Sequence, residues 1–96
     1  MSKGKTSVND STTPIITASE RRAVVITNPS TATETLWLAF DEDAVVGEGV
    51  PLAPAQAVTA SYDGEFNLPP TVFATYSKEI NGIYATETND VPYHTF

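Results

Sequence analysis

Short runs in which apolar and polar residues alternate, cut apart by Pro, Gly, Asn and Asp, leave this chain very few folds to choose from. Residues 22–28, 34–40, 56–62, 71–77 and 81–87 each carry that period, and 14–17 is a shorter run of the same kind. A two-residue period puts successive side chains on opposite faces of a strand, whereas a helix needs apolar positions three and four apart. About seven short strands at a spacing of roughly 8–12 residues predict an all-β chain: an antiparallel β-sandwich of jelly-roll or immunoglobulin-like type.

The two faces of the strands can be read off directly. Val24 and Ile26 share one face, with Ala23, Val25 and Thr27 opposite; Leu36, Leu38 and Phe40 share another, with Trp37 and Ala39 opposite. Both faces are therefore apolar. Asn28-Pro29-Ser30-Thr31, Asp63-Gly64 and Asn81-Gly82 read as turns, the last one leading into a strand over 83–87. Between 41 and 54, the acidic Asp41-Glu42-Asp43 and the breaks at Gly47, Gly49, Pro51 and Pro54 exclude a helix and fit a short kinked strand or a bulge.

A chain of 96 residues makes one domain, and at that size only roughly 60–65% of the unfolded surface is buried. With no cysteine, neither a disulfide framework nor a Cys-ligated metal or redox site supplements the small core. Twelve acidic residues against five Lys plus Arg give a formal net charge of -7, which repels a phosphate backbone and argues against nucleic acid as a partner. Lys3 and Lys5 are followed by polar residues rather than by the apolar stretch of a signal peptide, so synthesis in a cytoplasm without export by that route is expected. No apolar run nears the ~20 residues that span a bilayer, and no membrane partner is expected.

Residues 1–13 contain Val8 as their one large apolar side chain after Met1 and are expected to form a flexible N-terminal arm. The sandwich is expected over 14–87 and a C-terminal tail over 88–96. That tail carries Pro92, Tyr93 and Phe96, which suit either a strand end packed on its own domain or docking on a neighbour.

A longer pattern runs through residues 15–87: Arg22, Val24 and Ile26 closed by Asn28; Leu36, Leu38 and Phe40; Ala44-Val45-x-Gly47-x-Gly49-x-x-Leu52-x-Pro54; and a closing run that ends in Glu87. Together with the Ser/Thr-rich start, it resembles a family of small tailed-bacteriophage virion structural proteins, among them head decoration, auxiliary capsid and fibre-associated β-sandwich proteins. The resemblance implies a non-enzymatic capsid decoration protein on the virion surface, made in the host cytoplasm, that stabilises the head shell by binding the major capsid protein or other virion proteins. A head-fibre, tail-tip or adaptor component is the alternative within virions. The Asp41-Glu42-Asp43 loop and the segment after Glu87 depart from the family pattern.

Chemistry-bearing combinations are sparse. Gly4-Lys5-Thr6 matches the end of a phosphate-binding loop without the Gly, strand and helix that such a loop needs. Gly47-x-Gly49 lacks the third Gly of a dinucleotide turn. Asp41, Glu42, Asp43 and Glu48 lack EF-hand spacing, and His94 has no orienting partner in sequence. No enzyme, cofactor or metal is therefore expected. Outside virions, a carbohydrate-binding module would use Trp37, Tyr62, Phe73, Tyr76 and Tyr84 as a stacking face. Partner contacts are expected at Lys3, Lys5 and Val8 in the arm, at Trp37, and at Tyr93 and Phe96 in the tail. The small core and strands apolar on both faces predict a symmetric homo-oligomer, with a trimer favoured.

Overall fold

A computed structural model describes residues 2–18, 23–61, 71–73 and 79–96. The described residues form nine strands: β1 (Ser2–Val8), β2 (Thr13–Ile16), β3 (Ala23–Thr27), β4 (Leu36–Phe40), β5 (Val50–Leu52), β6 (Ala57–Ser61), β7 (Thr71–Phe73), β8 (Ile80–Ile83) and β9 (Asn89–Thr95). Among the described residues there is no helix, and so none long and apolar enough to cross a membrane. The strands form two sheets, ordered β1-β9-β3-β6-β7 and β2-β8-β4-β5. Adjacent strands are antiparallel throughout, except that β6 and β7 run parallel.

The predicted alternation decides which side chains meet between the sheets. Val8, Val24, Ile26, Val58 and Val91 of the first sheet form one buried cluster with Ile15, Leu36, Leu38, Leu52 and Ile80 of the second. Each such fully buried aliphatic side chain contributes about 1.5–3 kcal/mol relative to exposure. The opposite face of β4 behaves differently: Ala39 joins Ala44 and Ile83 in a small separate cluster, with Trp37 half-buried against it. This is the antiparallel β-sandwich that the sequence pattern calls for.

The N-terminal segment departs from expectation. The residues expected to form a flexible arm pair over seven positions, from Ser2↔Thr95 to Val8↔Asn89, with the C-terminal tail, which packs on its own domain, one of its two expected alternatives. Counting apolar residues hides the reason. Along β1 the exposed Lys3, Lys5 and Ser7 alternate with half-buried Gly4 and Thr6 and fully buried Val8, so the strand has an inner face built from small residues. Opposite Gly4 stands Tyr93, whose hydroxyl oxygen would lie 2.7 Å from any Cβ placed there. A glycine and an aromatic fill one cross-strand site, as residue size requires. The Thr6 hydroxyl also donates to the Ile15 carbonyl at 2.9 Å, tying β1 to β2 in the other sheet.

Asn81-Gly82 is a strand interior rather than a turn. In β8 the missing side chain of Gly82 leaves room for Ile15 Cδ1, which would approach an added Cβ to 2.7 Å. Asn81 is buried and donates to the Glu42 carbonyl at 2.6 Å. The chain then turns through 84–88 into β9 instead of continuing as a strand. The Gly/Pro-punctuated stretch carries only β5, and Gly49 ahead of it has φ +93°. The Asp63-Gly64 turn, Tyr62, Tyr76 and Arg22 lie outside the described residues.

Candidate functional site

Pro92 shapes an open concavity on the first sheet. It sits in β9, a strand paired on both sides, but it has no N–H to give, and the β9–β3 ladder ends at the Tyr93↔Ile26 pair. Beyond that point Pro92 and Thr27 line an open groove of about 490 Å³, together with Lys3, Gly4, Lys5, Val25, Tyr93 and His94. Cross-strand register sets its walls. Lys3 lies opposite His94, which in turn lies opposite Val25; Lys5 lies opposite Pro92. The floor is mostly apolar and its β1 rim carries two ammonium groups, on a chain whose net charge is -7. One of them, on Lys5, stands 3.6 Å from the Asp90 carboxylate, with both side chains largely exposed. An exposed pair of this kind contributes little stability and leaves the lysine free to exchange partners.

Two of the six residues expected to contact partners, Lys3 and Lys5, meet here; Tyr93 borders the groove, but its ring faces Gly4 and packs against the core. Phe96 stacks on His94 next to the groove, with ring centroids 4.6 Å apart, and its N–H donates to the Ala23 carbonyl at 2.9 Å. Val8 is corrected from a contact residue to a core residue, since its side chain is fully buried between the sheets. Trp37 lies on the outer face of the other sheet, far in topology from the groove. Gly4-Lys5-Thr6 is part of a strand, with no turn to wrap a phosphate. His94 and Thr27 are groove residues that reading the sequence did not place at a partner surface, because only strand pairing brings them beside Lys3 and Lys5.

Two further polar arrangements hold structure. Asn28 is buried; its side-chain nitrogen donates to the carbonyls of Glu34 at 3.0 Å and Leu52 at 2.9 Å, and its Oδ1 accepts the Tyr84 hydroxyl at 2.6 Å. Tyr84 is likewise buried, which removes it from any carbohydrate-stacking face, and burial pushes its hydroxyl up to about 12. Glu34 and Glu87 bring two carboxylates close together, but hydroxyl and backbone donors already engage them. The Thr86 hydroxyl chiefly holds the Glu34 carboxyl below its usual range, and the Thr33 hydroxyl does the same for Glu87. Donors of this kind favour the charged form and leave neither group poised to move a proton near neutral pH.

The acidic loop is well anchored. Asp41 N–H donates to the Glu79 carbonyl at 2.7 Å, Ala44 N–H to Thr12 Oγ1 at 2.8 Å, and Glu48 N–H to the Val45 carbonyl at 3.0 Å. Among the described residues, no three side chains of metal-ligating type gather. Val45 and Val46 project from this loop at 47% and 44% exposure, the large apolar side chains that stay exposed among the described residues. Comparisons with protein families, curated proteins and solved structures return no match to this chain.

Proposed function

We propose that this protein is a non-enzymatic structural component of a tailed-bacteriophage virion, a decoration protein that binds the head shell and stabilises it. The virion assignment rests on the resemblance carried by the residue pattern over 15–87; within the sandwich those positions are structural, with Val24, Ile26, Leu36, Leu38 and Leu52 in the core, Asn28 the buried polar tie and Gly49 at positive φ. A role in an assembly is supported by one observation above all, the open lysine-rimmed groove on the outer face of the first sheet, a concave surface accessible to another chain. A ligand that binds an assembled shell and not its separated subunits stabilises the shell by mass action, and a small rigid β-domain suits that role.

Quantitative mass spectrometry of purified particles tests the assignment. Detection at a copy number commensurate with the symmetry of the shell is the expected result, together with earlier heat disruption of particles that lack the protein. Absence from particles would overturn it. A fibre or adaptor role would give a low copy number confined to one vertex or to the tail.

A further inference from the structure

The groove and the acidic loop are complementary in charge and in apolar character. At its tip, the loop presents Val45 and Val46, flanked by Asp41, Glu42 and Asp43 on one side and Glu48 on the other. The groove presents an apolar floor, including Val25 and Pro92, under Lys3 and Lys5. Those two lysines are the only Lys or Arg side chains among the described residues, and the loop supplies four of the chain's twelve acidic groups. The loop is held ready: Ala44 is buried against Ala39 and Ile83, and the turn from Val45 to Glu48 is closed by a backbone hydrogen bond. Little ordering remains to be done on binding.

A chain cannot fill its own groove. Ala44 fixes the loop to the outer face of the β2-β8-β4-β5 sheet, whereas the groove opens on the outer face of the other sheet. We propose that the occupant of the groove is the 41–48 loop of a second copy, so that copies associate head to tail, the apolar tip seated over Val25 and Pro92 and the carboxylates set against Lys3 and Lys5. The contact is heterologous and closes into a ring or extends as a stack, according to the rotation between copies. It deepens the decoration reading by naming the surface through which copies would meet, and its test needs no particle, so the two can fail separately.

Sedimentation velocity on the full chain provides the test, with two double variants at exposed positions: Val45→Glu/Val46→Glu, which spoils the loop, and Lys3→Glu/Lys5→Glu, which spoils the groove. Circular dichroism confirms that both stay folded. The wild type is expected to associate at low salt and to dissociate progressively as salt is raised. Each variant alone is expected to associate at least about tenfold more weakly. An equimolar mixture of the two should form a one-to-one dimer and nothing larger, because one intact loop meets one intact groove. A wild type that stays monomeric at high concentration would give the groove to another occupant and overturn the proposal. So would a mixture that stays monomeric while the wild type associates, or a variant that associates as the wild type does.

Discussion

Glu34 and Glu87 each accept the backbone N–H of the other: Glu87 N lies 3.0 Å from Glu34 Oε1, and Glu34 N lies 2.9 Å from Glu87 Oε1. Each carboxylate also takes the N–H and the hydroxyl of a threonine preceding its partner, Thr33 for Glu87 and Thr86 for Glu34. The segment entering β4 is thereby clasped to the turn between β8 and β9. Two like charges sit close together because the donors that each accepts outweigh their repulsion, which acts on Glu34 as the smallest of its influences.

Acid should loosen this clasp. Both groups ionise more readily in the folded chain than in the unfolded one, where a glutamate titrates near about 4.3. Their contribution is present above that pH and is lost as pH falls through the lower folded values. Urea midpoints are expected to drop between neutral pH and pH values below both. The Glu34→Gln/Glu87→Gln variant should be less stable than wild type at neutral pH, with the gap closing in acid. An equal gap at both pH values would show that the charges are not what the hydrogen bonds reward.

Tyr84→Phe leaves Asn28 Oδ1 without its hydroxyl donor in a buried site, and the expected cost is about 1–3 kcal/mol. Alkali provides a second readout. Because the folded Tyr84 titrates at about 12, above an ordinary tyrosine near 10, its stabilising contribution holds below about 10 and is lost as pH rises toward 12. Ultraviolet titration should show late ionisation in the wild type that disappears in Tyr84→Phe.

Gly49→Ala should be costlier than Gly47→Ala. Both positions have positive φ, +93° and +87°, so both substitutions strain the backbone by about 1 kcal/mol or more. Only at Gly49 does an added Cβ meet a main-chain atom, the Leu38 carbonyl oxygen at 2.3 Å, whereas at Gly47 nothing lies within 4 Å. Thermal melts of the two variants side by side measure the difference. Equal costs would mean that β4 shifts to make room.

Hydrogen exchange on the full chain distinguishes a strand from an arm at residues 2–8. The β1 amides that donate to β9 are expected to exchange far more slowly than an unstructured segment. Val8→Ala should cost about 1–3 kcal/mol, as truncation of a fully buried side chain does. Immediate exchange throughout β1 would restore the flexible arm.

Strands β3 and β4 were legible in the sequence because their apolar residues alternate strongly enough for the face to be read from either strand alone. Asn28 and Gly49 also announced themselves as punctuation, although the buried network around Asn28 depends on partners as distant as Tyr84. β1 was illegible to a count of apolar residues, since its inner face is Gly4, Thr6 and Val8 and only Val8 is large. The Asn81-Gly82 pair misled for a related reason: its local preference for a turn yields where Ile15 and Leu36 need the space that a glycine leaves. The groove was harder still. Lys3, Val25 and His94 belong to three strands, and their common row is set by a register that no one of those strands encodes by itself.

β9 is bonded on both sides, to β1 and to β3, and among the described residues it is what joins β1 to the rest of the first sheet. While a nascent chain has made eight strands and not the ninth, β1 has no ladder in its own sheet and Val8 lacks the neighbouring Val91. β9 comes later in the chain than the described strands it joins, so it enters the sheet between β1 and β3 rather than being added at an edge. Copies of the chain carry identical gaps and identical β9 strands, so this topology exposes the protein to exchange of β9 between copies.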